Sequence, residues 1–370
     1  MTGGAERQMH SLHKGLRARG FDVHVLAEIR NVVKEYQEFE SIPIWGATFP
    51  TLTSHALRPG NIKIIQSLMG INRLVKKNMG RFDLIQAITF RQPAVVGAWL
   101  SNRLKVPLIV RLACSGTYGD FSFAQSNWLL HYGLPQIIRH TAGVVALDEA
   151  TKCEAVAHGV ARDKIEIIPN AVIIESAGRM RNLGNLRKTG AIVYIGRMAE
   201  QKRIDTLISA VAELVGIGAG RKLVLVGGGD LARWRVEIEK YCLNEWVSVI
   251  GFDPNPENYL NDAACFINPS ESEGMPNAVL EACAFGVPVI LSDIPAHREI
   301  ARAVGMEAFL FPVGDSAALS RKIVDLFDLT EDQYSEFKGK CAAYGQSFTT
   351  ENRDRNYVHL YENVIKRYRE

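Results

Sequence analysis

Short apolar runs rich in β-branched residues alternate with longer amphipathic segments along nearly the whole chain. This alternation most constrains the fold, because it is the pattern of parallel α/β layers in which each strand is followed by a crossover helix. The segments that we predict as strands are 23–26, 84–88, 108–111, 143–146, 165–168, 191–195, 223–226, 247–250, 265–268 and 287–291. They predict an α/β protein with two consecutive doubly wound units.

The chain length and a break in this pattern predict the domain boundaries. With 370 residues, of which 47% are hydrophobic and 22% charged, the chain is long enough for two globular domains. The apolar periodicity lapses between 174 and 190 into Glu, Ser, Gly, Arg and Asn, which is typical of a linker. We therefore predict an N-terminal domain over 1–173, a linker over 174–190 and a second domain that begins at 191.

Several classes of protein are disfavoured by the sequence. No run approaches the roughly 18 apolar residues of a spanning helix, and the N-terminus has no apolar signal region. We therefore expect a cytoplasmic protein with reduced thiols. The six cysteines include no C-x-x-C pair, so we expect neither disulfides nor a zinc site.

The N-terminal half carries an excess of positive charge. Residues 1–173 hold 20 Lys and Arg against 13 Asp and Glu. Ten of these basic residues lie between Arg58 and Arg111, where Asp83 is the single acid. This excess predicts an anionic partner, although a solvated basic surface would have the same composition. The amphipathic segment 61–81, whose C-terminal end is basic, further predicts peripheral contact with an anionic membrane.

The N-terminus resembles a glycine loop that opens a helix. Gly3 and Gly4 are followed by an amphipathic segment over 5–19. A strand normally precedes such a loop, but only two residues precede Gly3. We therefore expect the first and central strand of this sheet to be absent from the chain.

The most informative stretch runs from Asn268 to Ile290, from a predicted strand end through a polar loop and a helix into the next strand. Pro276 suits a first helical turn. Glu273 would then lie in the loop at the positive end of this helix, and Glu281 would lie inside the helix on a face reachable from the same cleft. Two such carboxylates can bind sugar hydroxyls, although they can also be ordinary dipole-complementing or helix residues.

Two further clusters follow predicted strands of the second domain. Arg197 and Lys202 leave the carboxyl end of 191–195, the edge at which open α/β sheets bind ligands. An arginine fork and a lysine point charge together suit a diphosphate. Three glycines that begin at Gly227 allow close approach of the chain to a ligand, but a glycine turn alone is weak support.

Together these motifs resemble the GT-B glycosyltransferases of family 4, the group 1 retaining transferases, over nearly the whole chain. The matching elements are the glycine loop at 3–7, Ile-Pro-Asn-Ala-Val at 168–172 for the family's I-P-N-G-V, Gly196-Arg197 with Lys202, and Glu273 with Glu281 as the E-x7-E element. The resemblance implies two Rossmann-like domains that face each other across a cleft. The N-terminal domain is then the acceptor side, 191–345 binds the nucleotide sugar, and a helix over 346–370 packs back on the N-terminal domain.

The resemblance also implies roles for individual residues. Glu273 would contact the donor sugar, and Arg197 and Lys202 would stabilise the charge of the leaving diphosphate. Glu281 would bind the ribose. The remaining donor-binding positions that it implies are Gly3, Gly4, Gly196, Gly227, Gly274, Met275, Pro276 and Asn277. No cofactor or metal is expected, and no Asp-x-Asp pair occurs in the chain.

The sequence departs from the family pattern in one loop, and it is compatible with one expected function and two alternatives. Many members carry a histidine where this chain has Ala113 or Cys114, and the loop at 114–120 resembles a subgroup with a Ser-Gly loop instead. We expect a retaining transferase that uses a UDP- or GDP-sugar and a glycan or lipid-linked acceptor in cell-surface polysaccharide assembly, with no nucleic-acid partner, at the inner membrane face. The alternatives are a nucleotide-sugar 2-epimerase and a non-catalytic nucleotide-sugar-binding partner in a glycan-assembly complex.

Overall fold

The computed structural model describes residues 4–28, 36–39, 42–47, 75, 82–126, 128–173 and 190–370. The chain folds as two structural units, of which unit 1 comprises 1–169 together with 350–370 and unit 2 comprises 170–349. The predicted α/β architecture with two parallel-sheet units is confirmed. Most of the segment 61–81, the predicted linker except residue 190, and Gly3 lie outside the described residues.

The strands of unit 1 that the structure describes form two sheets. In the first, β1 pairs in parallel with β3, which pairs antiparallel with β2. In the second, β4, β5, β6 and β7 are adjacent and parallel in chain order. The strands are β1 (Val25–Glu28), β2 (Tyr36–Phe39), β3 (Ile42–Ala47), β4 (Ile85–Ile88), β5 (Leu108–Arg111), β6 (Thr141–Ala146) and β7 (Ile165–Ile167). Strands β2 and β3 were not predicted, and their antiparallel pairing departs from a purely doubly wound order.

The helices of unit 1 bury apolar faces against the second sheet. They are α1 (Gly4–Ala18), α2 (Gln92–Leu104), α3 (Asp120–Ser126), α4 (Trp128–His140) and α5 (Glu149–Ala157), with α12 (Thr350–Arg369) from the end of the chain. Leu12 of α1 and Leu360 of α12 share one apolar cluster with Ile109 of β5. Arg19 also forms an ion pair of 3.1 Å with Asp354. The C-terminal helix is therefore part of unit 1.

Unit 2 is built on one six-stranded sheet that is parallel throughout, with the order β10-β9-β8-β11-β12-β13. This order reverses direction between β8 and β11. The strands are β8 (Ala191–Ile195), β9 (Leu223–Val226), β10 (Val247–Gly251), β11 (Ala263–Asn268), β12 (Val289–Ser292) and β13 (Leu310–Phe311). Ligands of open α/β sheets bind outside the carboxyl ends of the strands at such a reversal.

The helices of unit 2 form the other layers of its core. They are α6 (Ile204–Gly216), α7 (Leu231–Lys240), α8 (Asn277–Ala284), α9 (Pro295–Val304), α10 (Ser316–Asp328) and α11 (Glu331–Gln346). Helices α8 and α11 cross closely at Gly345, where an added Cβ would lie 2.2 Å from the backbone nitrogen of Ala284. This packing fixes α8, which carries Glu281, against the rest of the unit.

Three of the six cysteines are buried, and the other three are at least partly exposed. All six cysteines are free thiols. Cys265, Cys283 and Cys341 are buried in the core of unit 2, where they pack as small apolar side chains. Among the described helices, none combines the length and the hydrophobicity needed to cross a membrane.

Candidate functional site

The candidate site in unit 2 is formed by loops at the carboxyl ends of β8, β9 and β11. Two of these loops pack backbone against backbone, which requires glycine. Gly227 has φ +144°, and a Cβ there would lie 1.9 Å from the carbonyl oxygen of Gly196. Gly229 has φ +143°, and its Cβ would lie 2.6 Å from the carbonyl oxygen of Met198. The glycines at 227 and 229 are thus required by close approach of the two loops to each other.

The loop before α6 is tied to the loop before α8. The side-chain amide of Gln201 donates a 2.7 Å hydrogen bond to the carbonyl of Ser272, and the backbone N–H of Glu271 donates to the carbonyl of Gln201 at 3.0 Å. Next to these bonds the ammonium of Lys202 lies 2.5 Å from Oε1 of Glu273. Two predicted site residues, 71 positions apart in sequence, are therefore in direct contact.

The Glu273 carboxylate is held by a converging set of donors. Besides Lys202, Oε1 lies 2.8 Å from the hydroxyl of Ser270 and 3.2 Å from the side-chain amide of Asn268. Burial by itself raises the pKa of this carboxyl, but the nearby Lys202 ammonium and the hydrogen bonds outweigh it and hold the pKa below its ordinary value. Glu273 is therefore ionised at neutral pH, with its side chain only 11% exposed.

Arg197 lies on the same edge of the sheet, but it is exposed, unlike Lys202 and Glu273. Its guanidinium makes no hydrogen bond or ion pair with the residues that the structure describes. Its backbone carbonyl accepts a hydrogen bond of 3.2 Å from the hydroxyl of Tyr194, which is fully buried beneath Gly196. The backbone of Arg197 is thus anchored, and its cationic side chain extends into solvent.

The start of α8 is anchored by a residue from the start of unit 2. The side-chain amide of Asn170 donates to Oδ1 of Asn277 at 2.8 Å and to the carbonyl of Met275 at 3.4 Å. The helix begins at Asn277, so Pro276 occupies the N-cap position and not the first turn that the sequence favoured. Glu281 lies inside this helix and is 8% exposed.

Several residues that shape the site were not singled out from the sequence. Asn268 and Ser270 lie within the motif-bearing stretch, and their position between a strand end and a glutamate was the available signal. Asn170 lies in the motif that closes the first domain, but nothing in its sequence context indicates contact with Asn277. Tyr194 has the sequence context of an ordinary strand residue, because the hydrogen bond of its hydroxyl to Arg197 depends on the tertiary structure.

The glycines that the sequence assigned to the donor site lie in both units. Gly274 is buried in the loop between Glu273 and α8. Gly4 is the first residue of α1 in unit 1, and Gly3 lies outside the described residues. In the part of the chain that the structure describes, no group of three or more His, Cys, Asp or Glu side chains is placed to hold a metal ion.

The loop in which the family histidine is replaced lies in unit 1, directly after β5. The buried carboxylate of Asp120 accepts a 2.7 Å hydrogen bond from the backbone N–H of Ala113, and Glu154 accepts one of 3.0 Å from Gly116. Arg91 forms an ion pair of 3.4 Å with Asp120. Burial raises the pKa of Asp120 and that of Glu154. Two carboxylates therefore fix the backbone of this Ser-Gly loop.

Comparison with protein families matches both halves of the chain. Residues 2–176 match the family model described as Glycosyltransferase Family 4, and residues 180–345 match the model described as Glycosyl transferases group 1. Together the two matches cover nearly all of the chain from residue 2 to residue 345.

Individual relatives are also glycosyltransferases by name. The chain is 31% identical over 140 residues to the uncharacterized glycosyltransferase MJ1059 of Methanocaldococcus jannaschii. The matched region is 36% of this chain and 34% of that protein. Four relatives at 29% to 31% identity are matched over only 34% to 37% of their own length. The phosphatidyl-myo-inositol mannosyltransferase of Mycobacterium leprae is 26% identical over 345 residues, which is 90% of this chain and 87% of that protein.

Solved structures share the fold over the whole chain. Sucrose-phosphate synthase from Thermosynechococcus elongatus superposes with a TM-score of 0.79 at 19% identity, over 98% of this chain and 94% of that one. Anabaena HepE, solved in complex with UDP-glucose, superposes with a TM-score of 0.74 at 19% identity, over 98% and 97%. At these identities the similarity establishes the architecture and leaves the substrate open.

Proposed function

This chain belongs to the group 1, family 4 glycosyltransferases, and on that premise we propose that it transfers a sugar from a UDP- or GDP-sugar to a glycan or lipid-linked acceptor in polysaccharide assembly. The observation that carries the proposal is the contact between Lys202 and Glu273 at the carboxyl edge of the unit 2 sheet. It joins the two motifs that the resemblance assigns to the diphosphate and to the donor sugar. HepE, which shares the fold, was solved with UDP-glucose, which supports a nucleotide sugar as the donor class.

Arg197 and Lys202 would stabilise the leaving group. Glycosyl transfer develops negative charge on the departing nucleoside diphosphate, and fixed cations at that position lower the barrier. Arg197 is exposed and unpaired among the described residues, so its guanidinium can bind a phosphate in a bidentate manner. Lys202 is paired with Glu273, so an arriving diphosphate shares its ammonium with that carboxylate. These two cations supply the charge that a metal ion supplies elsewhere, and we expect no metal requirement.

Glu273 would bind the transferred sugar. Its lowered pKa keeps the carboxylate ionised, which makes it an acceptor for sugar hydroxyls and not a proton donor at neutral pH. Ser270 and Lys202 fix one oxygen of the carboxylate. Because the group is held before the donor arrives, little reorganisation is needed when positive charge develops on the sugar ring.

The start of α8 would bind the nucleotide. Glu281 accepts hydrogen bonds from the ribose hydroxyls, and the backbone N–H groups of Gly274, Met275 and Asn277 lie where the loop enters the helix, next to the diphosphate position. Asn170 anchors this turn through Asn277 and Met275. The residues to which the resemblance assigns the nucleotide thus lie in α8 or in the loop directly before it, which supports the proposal.

Transfer proceeds with retention of anomeric configuration. The bond from the anomeric carbon to the diphosphate breaks, and the bond to the acceptor oxygen forms on the same face of the sugar. The acceptor's proton passes to the departing phosphate oxygen. The basic N-terminal half suits an anionic or lipid-linked acceptor at the cytoplasmic membrane face.

Incubation of the full-length protein with a panel of labelled UDP- and GDP-sugars tests the proposal. Each donor is supplied with and without an extract of lipid-linked glycan acceptors, and nucleotide release is measured. The matched variants are Arg197→Ala in the site and Arg321→Ala, which removes an exposed arginine of α10 outside it. Acceptor-dependent release of one nucleotide that is lost in Arg197→Ala and kept in Arg321→Ala supports a transferase.

Other outcomes contradict the proposal in distinct ways. Interconversion of the sugar without an acceptor identifies a nucleotide-sugar 2-epimerase. Binding of a nucleotide sugar with no turnover under any acceptor condition identifies a non-catalytic binder. A metal chelator that abolishes an observed transfer contradicts the metal-independent mechanism alone.

A further inference from the structure

A buried histidine lies behind the candidate site, at the start of α9. His297 is the only histidine between residues 170 and 349, and its side chain is fully buried. Its Nδ1 lies 2.9 Å from the backbone carbonyl oxygen of Ser292 and 3.1 Å from the hydroxyl oxygen of the same residue. A carbonyl oxygen only accepts hydrogen bonds, so Nδ1 carries the ring proton and donates it.

The imidazole is neutral and has one unused nitrogen. Burial lowers the pKa of His297 to about 4, and the nearby Lys202 ammonium acts in the same direction, although Glu273 opposes it. The neutral ring with its proton on Nδ1 leaves Nε2 as a bare acceptor. Nε2 has no hydrogen-bond partner among the residues that the structure describes. Burial of Nε2 without a hydrogen bond costs stability, and an apolar side chain of the same size would not have this cost. We therefore infer that the position requires histidine for the hydrogen bond that Nδ1 donates.

A chain of hydrogen bonds leads from this ring to the candidate site. The hydroxyl of Ser292 donates to the backbone carbonyl of Ser270. The hydroxyl of Ser270 in turn lies 2.8 Å from Oε1 of Glu273 and 2.6 Å from Oδ1 of Asn268, whose amide nitrogen lies 3.2 Å from the same Oε1. Both serines are 0% exposed, so water does not compete for these bonds. The ring of His297 is thus connected to the carboxylate through two buried residues.

We propose that His297 is a positioning residue for Glu273, which it orients through Ser292 and Ser270 by donating from Nδ1. The function of this chain of bonds rests on the proposed role of Glu273 at the donor sugar. The orienting bond fixes the end of β12, and with it the carbonyl to which the Ser292 hydroxyl is bonded. Loss of the Nδ1 donor loosens Ser292 and its bond to the Ser270 carbonyl, so that Ser270 orients Glu273 less firmly while the carboxylate keeps its charge and its contact with Lys202.

Three variants test this role in the full-length protein. His297→Phe keeps the ring volume and removes the donor. His297→Asn places an amide N–H near the position of Nδ1 and removes Nε2. Arg298→Gln is the matched control, because it changes the next residue of α9 and breaks only an exposed ion pair with Asp293.

With the nucleotide sugar that the donor screen identifies, His297→Phe should lower kcat by about 10- to 100-fold, the usual effect of losing a partner that orients a functional group. KM for that donor should change by less than about threefold, because charge and binding groups are retained. His297→Asn should restore most of kcat, and Arg298→Gln should leave it unchanged. Equal losses in His297→Phe and His297→Asn would overturn the assignment to Nδ1.

A second measurement does not depend on activity. The imidazole nitrogens of His297 are assigned by ¹⁵N NMR from the difference between wild type and His297→Asn. The expected spectrum is that of a neutral ring protonated on Nδ1 at pH 7, and a proton on Nε2 would refute the hydrogen-bond chain even if no donor were turned over. Should the expected tautomer be found in a protein that turns over no nucleotide sugar, the proposed function fails and the chain of bonds stands. If His297→Phe does not fold, Ser292→Ala replaces it, with the same expected loss of kcat.

Discussion

Removal of Lys202 should destabilise unit 2 chiefly because it leaves the Glu273 carboxylate buried without its cation. The two side chains are 19% and 11% exposed, and their charged atoms are 2.5 Å apart. At an effective dielectric constant of about 20 the gross attraction at this distance is about 7 kcal/mol. Desolvation of the two ions opposes most of that attraction, because it costs several kcal/mol per ion. With about 2.5 kcal/mol of desolvation per ion, a net coupling of about 2 kcal/mol remains.

The variants Lys202→Met, Glu273→Gln and the double replacement separate this coupling from the individual contributions. Lys202→Met should lower the free energy of unfolding by about 3 kcal/mol, since breaking a buried pair from one side leaves an uncompensated charge. Glu273→Gln should cost about 1 to 2 kcal/mol, because the partly exposed ammonium can hydrate. The double variant should be more stable than Lys202→Met alone, since it no longer contains the unpaired carboxylate.

Pulsed hydrogen exchange across a urea series measures these values. Peptides from 190–349 report unfolding of unit 2 separately from that of unit 1, which avoids a two-state treatment of a two-unit chain. An ion pair that acts as a unit should show a coupling energy well above the roughly 0.5 kcal/mol seen for independent sites. If the losses of the two single variants simply add in the double variant, the ion pair is not a coupled unit and the reasoning is refuted.

Four further predictions concern the same unit. The pKa of His297 is lowered to about 4 in the folded protein, so the unfolded chain binds the proton first as pH falls below 6.5, and the folded state loses stability. Between pH 7 and pH 5 the wild type should therefore lose about 2 kcal/mol of unfolding free energy relative to His297→Asn. Hydrogen exchange at both pH values measures this difference. Arg197→Ala should slow transfer by about 10² to 10³ in a steady-state assay, whereas Glu281→Ala should weaken nucleotide binding by about 1.5 to 3 kcal/mol in calorimetry. Gly345→Ala should lower the melting temperature of unit 2, because its Cβ would lie 2.2 Å from the backbone nitrogen of Ala284; an unchanged melting curve would mean that α8 and α11 can separate there.

The sequence predicted the strands that consist mainly of apolar residues. Segments 108–111, 191–195 and 223–226 coincide with observed strands, because buried parallel strands leave continuous apolar runs. Strands β2 and β3 escaped prediction for a physical reason. Tyr36–Phe39 has two polar residues at its centre, and Ile42–Ala47 contains a proline and a glycine, both of which disfavour a strand.

The site was predicted in its residues but not in its connections. Glu273 and Lys202 were identified from motifs, whereas their direct contact depends on the adjacency of β8 and β11 in the sheet. His297 could not be recognised, because a single histidine in an amphipathic helix has no pattern that distinguishes a core residue from a functional one. Its significance becomes visible only with its burial and its bond to Ser292.

A crystal structure with a bound nucleoside diphosphate would show whether Arg197 and Lys202 hold the leaving group. Crystals of the full-length protein grown with UDP or GDP, chosen by the donor screen, would show where the diphosphate lies. We predict phosphate oxygens about 3 Å from the Lys202 ammonium and from the Arg197 guanidinium, with the ribose hydroxyls hydrogen-bonded to Glu281. A nucleotide bound at any other edge of the unit 2 sheet, with Lys202 still paired only to Glu273, would contradict it.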